Sequence, residues 1–174
     1  MARKNTLHIA FLGIFTALVV VMTALPKIPV PQTQGYINLG DSMILLSVVF
    51  FGGPFGAFVG AFGSAIADVV SGYAHWAPYT FVIKGIEPLI MALLLGLFKQ
   101  KRTLVSVPIT SIPATLWMVS GYFIVQKILY GTSAAVTEIP GNLIQAGGSV
   151  VICFLLFSAT YKPIMRFINT RNER

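Results

Sequence analysis

Lys84 and Glu87 stand three residues apart within an apolar stretch, residues 79–98, that is about long enough to cross a bilayer. At that spacing both side chains lie on one helix face, where an ammonium and a carboxylate can neutralise each other. Ionisable groups inside a membrane span are costly, and they face a protein interior, a polar cavity or a partner. Four more polar residues fall at a similar depth: Asp41 at the start of one apolar run, Asp68 near the end of another, and Asn142 and Gln145 one turn apart at the head of a third. Together these groups can hydrogen-bond a small polar solute from within an apolar wall. Each also has a plainer use. Asp41 and Asp68 suit helix caps or internal packing, and Lys84 with Glu87 suits a structural salt bridge.

Aromatic residues share this level: Tyr36, Tyr73, Trp76, Tyr79, Tyr122 and Tyr130. Trp and Tyr gather at membrane interfaces by default. The segment His75-Trp76-Ala77-Pro78 differs, because it reads as a loop able to fold over a cavity. An aromatic cover with a few hydrogen-bonding groups suits a small, flat, largely neutral heterocycle. With His8 the only other histidine, a dedicated metal site is not expected.

Composition says what kind of scaffold must hold these residues. Of 174 residues, 56% are hydrophobic and 10% charged, where a soluble domain carries about 25% charged residues. The mean hydropathy is +0.82. Such a chain is an integral membrane protein made of spans and short loops, with no room for a second, soluble domain. No Gly-x-x-x-x-Gly-Lys-[Ser/Thr] loop is present, which excludes ATP binding of that type. Neither Gly-x-Ser-x-Gly nor His-Glu-x-x-His occurs, which argues against an intramembrane enzyme. The single cysteine, Cys153, sits in an apolar run and reads as a small buried residue.

The formal net charge of +7 does not point to nucleic acid, because the cations flank the spans. Arg3 and Lys4 precede the first span, Lys99, Lys101 and Arg102 follow the fourth, and Lys162, Arg166, Arg171 and Arg174 follow the last. Positive flanks mark the cytoplasmic side. A cleavable signal peptide is not expected, since no small-residue cleavage site follows the first span.

Hydropathy and turn signals predict spans at roughly 7–25, 39–52, 55–70, 79–98, 104–125 and 142–161. Residues 26–38 form a stiff, extended outer loop holding Pro26, Pro29 and Pro31, and residues 72–78 and 127–141 form two more outer loops. Pro108 and Pro113 are expected to bend the fifth span. The fold class expected is all-α: one domain over residues 1–174, a six-transmembrane-helix bundle with both termini cytoplasmic. Lys27 and Lys127 are then the cations of the outer loops. Small residues in the third span, from Gly56 through Gly60 to Ala67, favour close internal helix packing. Ala10, Gly13 and Ala17 in the first span leave open either internal packing or the docking of an outside helix.

Four segments carry a resemblance: Gly35-Tyr36-Ile37-Asn38-Leu39-Gly40-Asp41-Ser42, Gly63-Ser64-Ala65-Ile66-Ala67-Asp68, Tyr73-Ala74-His75-Trp76-Ala77-Pro78 and Ile83-Lys84-Gly85-Ile86-Glu87. Over nearly the whole chain it resembles the substrate-binding S components of energy-coupling factor (ECF) vitamin transporters. It looks most like the riboflavin-transporter-like family, and within that the members assigned to hydroxymethylpyrimidine or pyridoxine. The resemblance implies a multi-pass protein of the bacterial cell membrane that binds a vitamin in its outer half, without a cofactor. It also implies a transmembrane coupling (T) subunit and two cytoplasmic ATPase subunits as partners. Related proteins meet the coupling subunit through an Ala-x-x-x-Ala pattern on the first helix. Gly13-x-x-x-Ala17, with Ala10 a turn earlier, is the nearest match here.

On this reading Lys84, Glu87, Asn142 and Gln145 hydrogen-bond the ring substituents and Asn38 joins them. Tyr36 and Trp76 stack on or cover the ring, and His75 closes the lid. Riboflavin or another water-soluble vitamin is the alternative cargo. The competing reading is a self-sufficient secondary transporter in which Asp68 or Glu87 carries a coupling proton. Such proteins show internal repeats and broken helices, and neither stands out.

Overall fold

The computed structural model describes residues 2–99 and 102–172; Lys101 and Arg174 of the basic flanks lie outside the described residues. The helices are α1 (Ala2–Ala24), α2 (Asp41–Phe51), α3 (Gly53–Val70), α4 (Ala77–Leu97), α5 (Ser106–Tyr130) and α6 (Thr132–Asn172). Between α1 and α2 a short antiparallel hairpin pairs β1 (Ile28–Val30) with β2 (Gly35–Ile37).

Five of these helices are long and apolar enough to cross a membrane. The exception is α2, whose 11 residues rise about 16 Å against a hydrocarbon core of about 30 Å. The second expected span is therefore a short interior helix, buried at ten of its positions. It ends at Gly52, whose φ of 93° breaks the helix before α3 begins, with Pro54 in its first turn.

Contacts set the helix directions. The start of α2 meets the end of α1 where the Leu39 amide donates to the Met22 carbonyl. At the other end of α2, Phe51 packs on Phe11 and Phe15. The α3 helix runs back along α1, with Phe55 beside His8 and Gly63 beside Val19. The α4, α5 and α6 helices continue the alternation, as Lys84 against Gly60, Thr80 against Tyr122 and Gln126 against Glu138 show.

The small residues of α3 serve internal packing. A side chain at Gly60 would run into the Lys84 backbone carbonyl, and one at Gly56 would meet Val48 and Pro88. Glycine there lets α3 approach α2 and α4 closely. The surface is inverted relative to a soluble protein. Large apolar residues such as Leu93, Leu97 and Ile144 are about three-quarters exposed, at 74%, 77% and 74%. Lipid is the solvent that suits such a surface.

Two loop expectations are corrected. Residues 26–38 are not one extended strap: Gln34, at φ 50°, closes a hairpin in which Pro29 faces Tyr36. Pro29 removes a donor, which a short two-stranded ribbon tolerates. Residues 127–141 are almost wholly helical, broken only at Gly131, φ 86°. Gly131, Pro140 and Gly141 resemble loop punctuation, yet the helix runs on through Pro140-Gly141. Tertiary contact explains the last glycine, because a side chain there would collide with Ile37 of the hairpin.

Candidate substrate-binding site

A helical period carries polar residues inward on four helices. On α6 the buried positions include Glu138, Asn142, Gln145 and Ser149, and on α4 Thr80, Lys84 and Glu87. These spacings of three and four residues trace a single helix face. On α5 Tyr122 and Gln126 are one turn apart, and on α3 Asp68 lies a turn beyond Ser64.

These faces enclose a partly open chamber at the hairpin end of the bundle. Gly35, Tyr36 and Asn38 line it from the hairpin and its exit, and Asp68, Trp76 and Thr80 from α3 and the start of α4. Tyr122 and Gln126 of α5 and Glu138, Asn142 and Gln145 of α6 complete the wall. The void among them, counted together with the solvent at its open mouth, is about 370 Å³.

Hydrogen bonds fix the wall. The Tyr36 hydroxyl donates to Asp68 Oδ1 at 2.7 Å, the Tyr122 hydroxyl donates to Thr80 Oγ1 at 3.1 Å, and Gln126 Nε2 donates to Glu138 Oε2 at 2.8 Å. Burial, with the neighbouring Asp68 carboxylate second, pushes the Tyr36 phenol above its ordinary range, so it stays a donor. The hairpin is latched from outside. Trp76 Nε1 donates to the Gln34 carbonyl at 3.0 Å, Tyr36 lies 4.6 Å from Tyr73 between ring centres, and Lys27 Nζ sits 5.7 Å from the Tyr73 ring centre.

Behind the wall lies a buried ion cluster. Lys84 pairs with Asp41, and Glu87 Oε2 stands 3.6 Å from its ammonium. Gln145 links cluster and chamber: its Nε2 donates to Asp41 Oδ2 at 2.9 Å, and its Oε1 accepts the Asn38 amide at 2.9 Å. Asn38 Oδ1 in turn accepts the Gly40 amide at 2.9 Å. Asp41 is thus not a helix cap. Gly40 holds that position with no side-chain cap, and the Asp41 carboxylate is committed to Lys84.

Of the residues expected at the site, Tyr36, Asn38, Trp76, Asn142 and Gln145 line the chamber. Lys84 and Glu87 do not; they are one bonded step behind it. His75 is exposed and lies 6.0 Å from the Trp76 ring, outside the lining. The sequence reading did not place Thr80, Gln126 and Glu138 at the site. Gln126 and Glu138 carried a usable signal, since Glu138, Asn142 and Gln145 share one helical face once the segment is read as helix. Ala10, Gly13 and Ala17 are all exposed on α1, and nothing in the bundle covers Gly13.

A polar chamber at one end of a bundle whose outer surface is apolar belongs to a multi-pass membrane protein. Residues 3–162 match the family model of the ECF-type riboflavin transporter S component, and the chain belongs to that family. The family is one of transporter subunits, not of enzymes. One relative is an uncharacterised protein in the gap 3' region of Pyrococcus woesei, 42% identical over 135 residues that cover 77% of this chain and 88% of the relative. Another is the thiamine precursor transporter HmpT of Lactococcus lactis subsp. cremoris (strain MG1363). It is 30% identical over 157 residues, covering 90% of this chain and 86% of the relative.

Proposed function

We propose that this chain is the high-affinity substrate-binding subunit of an ATP-driven ECF importer, with hydroxymethylpyrimidine or pyridoxine as its favoured cargo. The observation that carries the reading is the polar, partly open chamber held inside an apolar bundle. The likeness to a thiamine precursor transporter favours a vitamin precursor over riboflavin. Within the chamber, Asn38, Asn142 and Gln145 hydrogen-bond the ring substituents, while Tyr36 and Trp76 cover its faces. Lys84 and Glu87 support the wall through Asp41 and Gln145. The hairpin end faces outward and both termini face the cytoplasm of a plasma membrane, in line with the basic residues at the start of α1, after α4 and towards the end of α6.

Energy comes from partners: a transmembrane coupling subunit and two cytoplasmic ATPases. The small, exposed face of Ala10, Gly13 and Ala17 is where the coupling subunit docks, because small residues let a partner helix approach closely. Reconstitution tests this. The chain alone in liposomes binds the compound without accumulating it, and accumulation requires the coupling and ATPase subunits with ATP. Uptake by the chain alone, driven by a proton gradient, would replace this reading with that of a secondary transporter.

A further inference from the structure

Asp68, Glu138 and Gln126 line the chamber and each keep a buried acceptor oxygen without a partner, and of these Glu138 and Gln126 are bonded to each other. Both are at least nine-tenths buried, at 5% and 3% exposure, and both line the chamber. Each keeps an acceptor oxygen with no hydrogen-bond partner: Glu138 Oε1 and Gln126 Oε1. The bond between them fixes which oxygens these are. Gln126 Nε2 donates to Glu138 Oε2 at 2.8 Å, so turning the amide over would set two acceptors face to face. A buried acceptor left without a donor is costly, and two such oxygens on adjoining side chains in one chamber call for a ligand that brings donors to both.

We infer that Glu138 and Gln126 form a specificity subsite that reads a primary amine on the substrate ring. The inference rests on the substrate-binding reading above and deepens it. A primary amine carries two N–H donors, one for each free oxygen. A hydroxyl carries one donor, and its lone pairs would face acceptors. An aminated heterocycle therefore fits this corner better than one bearing only hydroxyls. Charge points the same way. Asp68 and Glu138 are the ionisable acids of the lining, and no lining residue among those described is cationic. Lys84, the nearest buried cation, is committed to Asp41 and Glu87. A phosphate ester of the same ring would meet carboxylates without a counter-charge, so the subsite also selects the unphosphorylated compound.

Gly35 makes room for the amine. A methyl group there would sit 3.7 Å from Glu138 Oε1, 3.6 Å from Trp76 Nε1 and 3.4 Å from Thr33 Oγ1. Those are ordinary contacts, so alanine fits the fold, but it crowds the space where a donor must come within about 2.9 Å of the oxygen.

The test is equilibrium binding by the purified full chain of three probes: hydroxymethylpyrimidine with its ring amine, the analogue with that amine replaced by a hydroxyl, and the phosphate ester of the first. The parent is expected to prefer the amine over both. Glu138→Gln should weaken amine binding about 10- to 100-fold, the span of a lost charge-assisted hydrogen bond, and bring amine and hydroxyl affinities together. Gly35→Ala should weaken the amine in the same direction while its melting temperature stays near that of the parent. An amine preference unchanged in both variants overturns the subsite alone. A parent that binds none of the three probes but does bind pyridoxine overturns the subsite and leaves the substrate-binding reading standing. A parent that binds neither class overturns both.

Discussion

Lys84→Met should be among the most damaging single changes in this protein. Lys84 is 2% exposed, and its two acids, Asp41 and Glu87, are 0% exposed. Taking away the ammonium leaves two carboxylates within one buried cluster with no counter-charge. Breaking a buried pair by removing one partner costs about 3–5 kcal/mol. A domain of this size loses roughly 2–4 °C of Tm per kcal/mol, so the expected fall is about 6–20 °C. The assay is thermal unfolding of the detergent-purified protein at a fixed scan rate, since membrane proteins unfold irreversibly and the rate matters. Lys127→Met, at an exposed position, serves as control and should shift stability by no more than about 0.5 kcal/mol. Adding Asp41→Asn to Lys84→Met removes one stranded charge and should restore roughly half of the loss. A loss below about 1 kcal/mol in Lys84→Met would refute the reasoning, because the acids would then not depend on the ammonium.

Three further outcomes follow from other contacts. Trp76→Ala deletes the donor to the Gln34 carbonyl and a buried ring; the cost is about 3–5 kcal/mol, and amide exchange across Ile28–Val30 and Gly35–Ile37 should speed up while α3 amides stay protected. Gly60→Ala pushes a methyl group into the Lys84 carbonyl; overpacking of about 1–3 kcal/mol should lower the yield of monodisperse protein, and an unchanged yield and Tm would mean that α3 and α4 are not so close. Gly13→Leu puts bulk on an uncovered face; ligand binding by the isolated chain should stay within about twofold, while uptake by the assembled transporter should fall at least tenfold if that face docks the coupling subunit.

Much of the scaffold was legible because lipid imposes a simple rule: long apolar runs make helices, and Gly52-Gly53-Pro54 stops one. The same rule misled at residues 127–141, where polar Glu138 and the Pro140-Gly141 pair resemble loop chemistry. Their polarity serves an inner face, and only the packing of α5 on α6 shows which face that is. The hairpin was hidden for a similar reason. Its pairing partners are held by Trp76 and Tyr73 from a different part of the chain, so proline content alone suggested a featureless strap. Site residues separated the same way. Asn142 and Gln145 share a local spacing and do line the chamber, whereas Lys84 does pair with Glu87 as their spacing suggested, but behind the chamber. The closer partner of Lys84 is Asp41, 43 positions away, a contact that no helical period encodes.

Calorimetric titration of the purified chain, alone and without its partners, with hydroxymethylpyrimidine and with pyridoxine tests the central claim most directly. One saturable site per chain for at least one of the two is expected, with binding weakened at least tenfold by Asn142→Ala in a protein that stays monodisperse. Heats no larger than those of dilution for both compounds, up to millimolar ligand on the order of the weakest useful affinity, would contradict it.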